Sequence, residues 1–223
     1  MRSRTTPEIT ADLFTLLLDN DTGRPGVEDA RLRWVLAGAA LLDLAHQCRI
    51  RPAGSGESAA PGELLALADD SPVAAPLRPA LELLRQRPLA AATALRRLGK
   101  PVQCALTDCL AQSGTLVRAR RGIFGRHWVH SGGERASQLR AELLTTFFED
   151  RPPSPPIAAI ITLLHSADGL GAVLDLNDRG WRWVHVRAAE IAGGRWLPAD
   201  PTTAEVNLKV TADVVGTALR EIA

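Results

Sequence analysis

The sequence predicts a mainly α protein: a single compact helical domain over residues 1–223 with one projecting β-hairpin. Three observations carry that expectation. Apolar residues recur three and four apart through most of the chain, the spacing of buried helical faces. Strand-like text around a short turn occurs at Thr115–Val129, with Arg121-Gly122 as the turn. At 223 residues, 46% hydrophobic and 23% charged, the chain can bury one large core and is too apolar for wholesale disorder.

The elements follow in order. Thr6-Pro7-Glu8 reads as N-cap, N1 proline and acidic first turn, and Leu13, Phe14, Leu16, Leu17 and Leu18 supply a broad apolar face. Asp19 to Gly26 is a turn. A second helix runs from about Val27 to Arg49, with small residues around Gly38 that let another helix approach, and Ile50-Arg51 opens an extended segment. Ala53–Gly62 is a loop by composition, followed by a short apolar helix at Glu63–Ala68 and another at Ala80–Arg87. Pro88–Leu98 reads as a helix closed by Gly99, and Pro101 as the start of the next, which ends near Gly114. After the hairpin, helices are expected at Glu134–Glu149, Ile157–His165, Leu170–Leu176, Trp181–Ala192 and Thr203–Ile222. The prolines from Pro152 to Pro156 form a stiff connector.

Composition excludes several function classes. The net charge of +1 creates no global field toward nucleic acid or acidic lipid, so any such contact needs a local patch. Lysine occurs only at Lys100 and Lys209, and the other 24 basic residues are arginine, the side chain better suited to bidentate phosphate contacts. No apolar run reaches the roughly 18–20 residues of a membrane span, and Met1-Arg2-Ser3-Arg4 leads into no signal-peptide core. Cys48, Cys104 and Cys109 are odd in number and read as reduced thiols. The expectation is a cytoplasmic protein, at most peripheral on the inner face of the membrane.

Enzyme signatures are missing from the text. Asp19-x-Asp21-x-Gly23 places glycine where a calcium ligand belongs and has Ala30 at the twelfth position. His127-x-x-His130 on a strand points its two imidazoles to opposite faces, so no metal site is expected. There is no nucleophile elbow and no glycine-rich phosphate loop, hence no cofactor. His165, beside Ser166 and near Asp168, reads as a hydrogen-bonded core residue.

The hairpin carries Arg118, Arg120, Arg121 and Arg126 around Ile123, Phe124 and Trp128. Cations beside an apolar tip suit a phosphate layer over hydrocarbon. The same text fits a winged helix, with Lys100–Ser113 as recognition helix and the hairpin as wing, or a solvated hairpin with its aromatics turned inward.

The order of motifs resembles the Golgi phosphoprotein 3-like family. Asp12-Leu13-Phe14-Thr15-Leu16-Leu17-Leu18-Asp19, Leu36-Ala37-Gly38-Ala39-Ala40-Leu41-Leu42-Asp43-Leu44-Ala45 and Arg49-Ile50 resemble its opening. The likeness continues through Leu110–Leu116, Ile123-Phe124-Gly125-Arg126, Ala158–Asp168 and Arg187–Trp196, and is weakest over Ala53–Gln86. The Arg-rich, Lys-poor composition looks like that of an actinobacterial relative.

This resemblance implies a helical adaptor that is not an enzyme. Its eukaryotic members bind phosphatidylinositol 4-phosphate and recruit protein cargo. The family's headgroup tryptophan aligns with Glu28, the following arginine with Ala37, and its Arg-x-x-Arg with Lys100-x-x-Gln103. Only Lys100 keeps a cation, with Arg31, Arg33 and Trp34 within two turns as substitutes. The implied lipid-binding residues are therefore Arg31, Arg33, Trp34, Lys100 and Arg126, with Ile123, Phe124 and Trp128 as membrane or oligomer contacts. General anionic phospholipid headgroups, phosphoinositide-like, are expected rather than one specific lipid. Protein cargo and a homo-oligomer through the hairpin are further partners; nucleic acid ranks last.

Overall fold

One helix of the chain is apolar on nearly every side, which is the pattern of a helix enclosed by others. It is α2 (Asp29–His46), in which every residue from Val35 to Ala45 is buried. The computed structural model describes residues 8–19, 24–120, 126–130, 133–149 and 151–223, with the backbone alone for 118–120 and 126–130. Eight α-helices form among them. Around α2 pack α1 (Glu8–Leu17), α4 (Ala91–Gln112), α6 (Pro155–Ser166) and α8 (Thr203–Ile222), while α3 (Arg78–Gln86), α5 (Glu134–Phe148) and α7 (Asp178–Ala192) lie outside them. Gly38 explains how tightly α2 is held: a Cβ there would stand 2.9 Å from the Leu163 side chain on α6 and 3.2 Å from Val215 on α8.

The first helix is fixed from a distance. Thr6 and Pro7, read as its start, lie outside the described residues. The free N–H groups of Ile9 and Thr10 donate instead to the two carboxylate oxygens of Asp43 on α2, at 3.1 and 2.9 Å, and the Thr10 hydroxyl donates to the same group at 2.6 Å. A buried carboxylate thus satisfies donors that a helix start leaves without partners. On the other flank, Arg135 of α5 donates to both oxygens of Asp12, and Arg140 reaches the Leu16 carbonyl.

Four expected elements are corrected. Glu63–Ala68 is not a helix: Leu64–Ala66 forms strand β2, antiparallel to β1 (Ile50–Pro52), and Leu64 exchanges both backbone hydrogen bonds with Leu89. A run this short is governed by the ladder partners on either side of it, not by its own apolarity. The two helices expected on either side of Gly99 are one, α4, with Pro101 inside it. Gly99 stays helical because it is packed against α2. Pro101 lacks the N–H that would bond the Arg97 carbonyl, and both residues are exposed, so solvent can take that partner's place. Leu170–Leu176 is a single 3-10 turn, Leu170–Ala172, entered through Asp168 at φ 50°.

Other boundaries shift by a few residues. α7 starts at Asp178, three residues before the expected Trp181, because the Asn177 side chain accepts from the Gly180 N–H at 2.9 Å. α8 opens with a reciprocal cap between Thr202 and Glu205. Farther along, the Asn207 side-chain amide donates to the carbonyls of Ala45 and Ile50, at 2.7 and 2.8 Å, closing the end of α2. The hairpin is present as β3 (Leu116–Arg120) and β4 (Arg126–His130), paired with each other and with no other strand among the described residues.

Candidate functional site

α2 begins with Asp29-Ala30-Arg31-Leu32-Arg33-Trp34, where polar residues alternate with the first core residues. Leu32 is buried, Arg33 exposed, and Arg31 and Trp34 half-buried. Trp34 lies along the core with one side toward solvent. α4 crosses here at Gly99. A Cβ on Gly99 would stand 2.9 Å from the Arg33 Cβ and 3.3 Å from its carbonyl carbon and oxygen, so backbone meets backbone. Lys100, the next residue, is exposed beside that junction.

The fold therefore brings Arg33 and Lys100, 67 positions apart in sequence, to one crossing. Arg96 lies one helical turn before Lys100 on α4 and is also exposed, as is Arg97. Sequence reasoning passed over both, although the i, i+4 spacing of Arg96 and Lys100 was visible. No side chain of Arg31, Arg33, Arg96, Arg97 or Lys100 makes a hydrogen bond or ion pair among the described residues. Exposed guanidinium and ammonium groups without a protein partner are free to bind phosphate oxygens. The exposed Glu28 and Asp29 at the start of α2 offset part of this charge.

The positions aligned with the family's headgroup residues now have a geometry. Ala37 is fully buried, so that position contributes to the core. Glu28 is exposed at the helix start, and Gln103 is half-buried one turn beyond Lys100. A groove of about 430 Å³ between β1 and α8 and a shallower depression of about 530 Å³ near the start of α4 are lined by residues outside the crossing.

At the hairpin, Arg118 pairs with Trp128 and Arg120 with Arg126. Directly opposed residues share a face of an antiparallel ribbon, so these four positions lie on one side. Ile123 and Phe124 lie outside the described residues. Val117, on the other face, is 52% exposed.

His165, expected as a hydrogen-bonded core residue, is only half-buried. Its ring centroid lies 6.5 Å from that of His185, which packs at 5.7 Å on Trp181. Burial, with the neighbouring His185 and Arg220, holds the His165 imidazole below its usual pKa.

Among curated proteins none matches this chain. Residues 9–208, nearly its whole length, match the family described as Golgi phosphoprotein 3 (GPP34). The helical core with one appended hairpin agrees with what the motif order implied, and the chain belongs to the Golgi phosphoprotein 3 (GPP34) family.

Proposed function

We propose that this protein is a non-enzymatic peripheral membrane or adaptor protein that holds anionic phospholipid headgroups at the crossing of α2 and α4. The carrying observation is that Arg33 and Lys100, both exposed, meet at the Gly99–Arg33 contact, with Arg96 one turn from Lys100. Arg31, Arg33 and Lys100 contact phosphate, joined by Arg96, and the exposed side of Trp34 rests at the level of the headgroups. With Glu28 and Ala37 in place of a tryptophan and an arginine, this surface selects negative charge rather than one headgroup. Each cation near an anionic leaflet contributes about 1 kcal/mol, so binding is reversible and falls with salt.

The hairpin is the second element of this reading. Arg126 and Trp128, with Arg118 and Arg120 on the same face, approach the membrane together; Ile123 and Phe124, which lie outside the described residues, are the expected membrane contacts. No helix among the described residues is long and apolar enough to cross a membrane, which fits peripheral attachment. A second reading, a hairpin that binds a protein or another copy, is favoured by the exposed Val117.

Flotation with phosphatidylglycerol vesicles, at low and high salt, tests the proposal with Arg33→Glu/Lys100→Glu. The double variant is expected to lose roughly tenfold or more in affinity. Unchanged flotation of the variant would refute the site. DNA binding that falls steeply with salt, with no vesicle binding, would favour the winged-helix reading.

A further inference from the structure

We propose that the junction of α6, α7 and α8 is an acid-sensitive latch. While neutral, His165 and His185 pack the first turns of α7 onto α6; once both carry charge they push those turns away, with Arg220 adding to the repulsion. The latch uses none of the residues assigned to lipid above.

Its three side chains come from three helices. His165 is in the last turn of α6, His185 lies in the middle of α7, and Arg220 is in the last turn of α8. The imidazole centroids are 6.5 Å apart. Arg220 is fastened beside them: one guanidinium nitrogen donates to the Ser166 hydroxyl at 3.2 Å and the other to the Thr217 hydroxyl at 3.0 Å. α6 and α8 are close here, since a Cβ on Gly216 would stand 2.8 Å from the Ser166 Oγ.

The surroundings set the order in which the imidazoles charge. His185 is exposed, and its ring lies 5.7 Å from that of Trp181, one turn earlier on α7. Water and an aromatic ring both favour the imidazolium form. His165 is half-buried, and burial, His185 and Arg220 each disfavour its charge. Acid therefore charges His185 first, and His165 then gains its proton beside two cations. Asp168, in the turn after α6, is the charge that opposes this. Arg182, one turn before His185 on α7, is exposed and adds to the positive side. Among the described residues no charged group of α1 or α2 acts on His165, and the turn Leu170–Ala172 contains none.

α7 is the partner that yields. Arg220 and Ser166 tie α8 to α6, and both of these helices pack on α2. α7 lies outside that core, and from Asp178 to His185 its buried residue is Val184. The Trp183 indole N–H, which donates to the Phe147 carbonyl at 2.6 Å, ties the same turns to α5. Like charges at this separation disfavour the closed arrangement roughly threefold in water-like surroundings, and more where water is excluded. Segments with few buried contacts open locally, so a factor of this size is visible in amide exchange.

The sign follows from the preference of the folded state for neutral His165. Its stabilisation is complete above the ordinary histidine value of about 6.5 and is lost as pH falls below it. Asp43 acts in the opposite sense and on α1, so the readout has to be local to α7.

The test uses the full chain as wild type, His165→Gln, His185→Gln and Arg220→Gln. Histidine ring protons are titrated by NMR, and hydrogen exchange is followed by mass spectrometry at about pH 7.5 and about pH 5.5, corrected for intrinsic rates. His165 is expected to titrate below the ordinary range in wild type, and higher in both His185→Gln and Arg220→Gln. Exchange over residues 178–188 is expected to rise roughly threefold or more on acidification in wild type, relative to α8, and to stay level in His165→Gln. A His165 midpoint that is the same in wild type, His185→Gln and Arg220→Gln overturns the coupling. An equal rise over 178–188 in wild type and His165→Gln, or a rise of equal size in every helix, overturns the latch. Far-UV circular dichroism identifies a variant that fails to fold; if that is His165→Gln, the exposed His185→Gln decides both questions, because it removes the same pair of charges.

Discussion

Substituting Gly99 by alanine sets two opposed effects against each other, and the geometry decides which is larger. In a solvent-exposed helix, glycine to alanine stabilises by about 1 kcal/mol through backbone entropy. Here the added methyl would lie 2.9 Å from the Arg33 Cβ and 3.3 Å from that residue's carbonyl carbon and oxygen. Relaxed carbon–carbon contacts sit at about 3.5–4.0 Å, so the helices must separate by about 0.6 Å or more. Two of the three contacted atoms are backbone, and no side-chain rotation relieves them. Overpacking of this kind costs about 1–3 kcal/mol, so the expected net loss is about 1 kcal/mol. For a chain of this length that lowers Tm by roughly 2–4 °C, measurable by thermal unfolding followed by circular dichroism. The same separation moves Lys100 away from Arg33 and should weaken vesicle binding. A Tm that rises by a few degrees would refute the close approach of α2 and α4, and with it the site.

The buried Asp43 predicts a pH dependence. Burial pushes its carboxyl up to about 7, against three hydrogen bonds that favour the charged form. Because the folded pKa lies above the unfolded one, the stabilisation is complete below about pH 4 and is lost as pH rises through about 7. Asp43→Asn cannot titrate there, so wild type should lose about 2–3 kcal/mol more than the variant between pH 5 and 8 in urea unfolding. His46 titrates in both proteins, and parallel pH curves would show that Asp43 stays charged throughout. Pro101→Ala should restore the hydrogen bond to the Arg97 carbonyl and raise stability by about 1–2 kcal/mol in the same assay; a loss would mean that the proline sits in a bend the fold requires. Thr202→Ala should lower stability by about 1 kcal/mol through loss of the α8 cap, with no effect on vesicle binding, and an equal Tm would show the cap to be idle.

What could be read from the sequence was whatever depends on a segment's own periodicity. α1, α2, α6 and α8 carry enough apolar residues at helical spacing that no neighbour needed to be known. Leu64–Ala66 failed for the converse reason: three residues have no periodicity, and their partners, Ile50–Pro52 and Leu89, are supplied by tertiary structure. Gly99 and Pro101 carry the local signals of a helix end and a helix start. The packing of Gly99 on Arg33 overrides both. Within the candidate site, Arg31, Arg33 and Lys100 came from motif position, whereas the crossing that joins Arg33 and Lys100 has no signature in one dimension. Asp43 was legible only as one polar letter in an apolar run, since the donors it serves belong to another helix.

The clamp made by Asn207 has a consequence for the order in which the chain can fold. Its amide holds carbonyls that were synthesised 162 and 157 residues earlier, at the end of α2 and the start of β1. Until α8 emerges from the ribosome, the central helix lacks one of its walls and its last carbonyls lack their donor. Helices made early thus wait on α8, which is made after them. Such long-range closure slows folding, because the loop entropy must be lost before the contacts that offset it can form. A nascent chain of this fold therefore exposes the α2 face through most of its synthesis, and the arrival of α8 commits it to the native state.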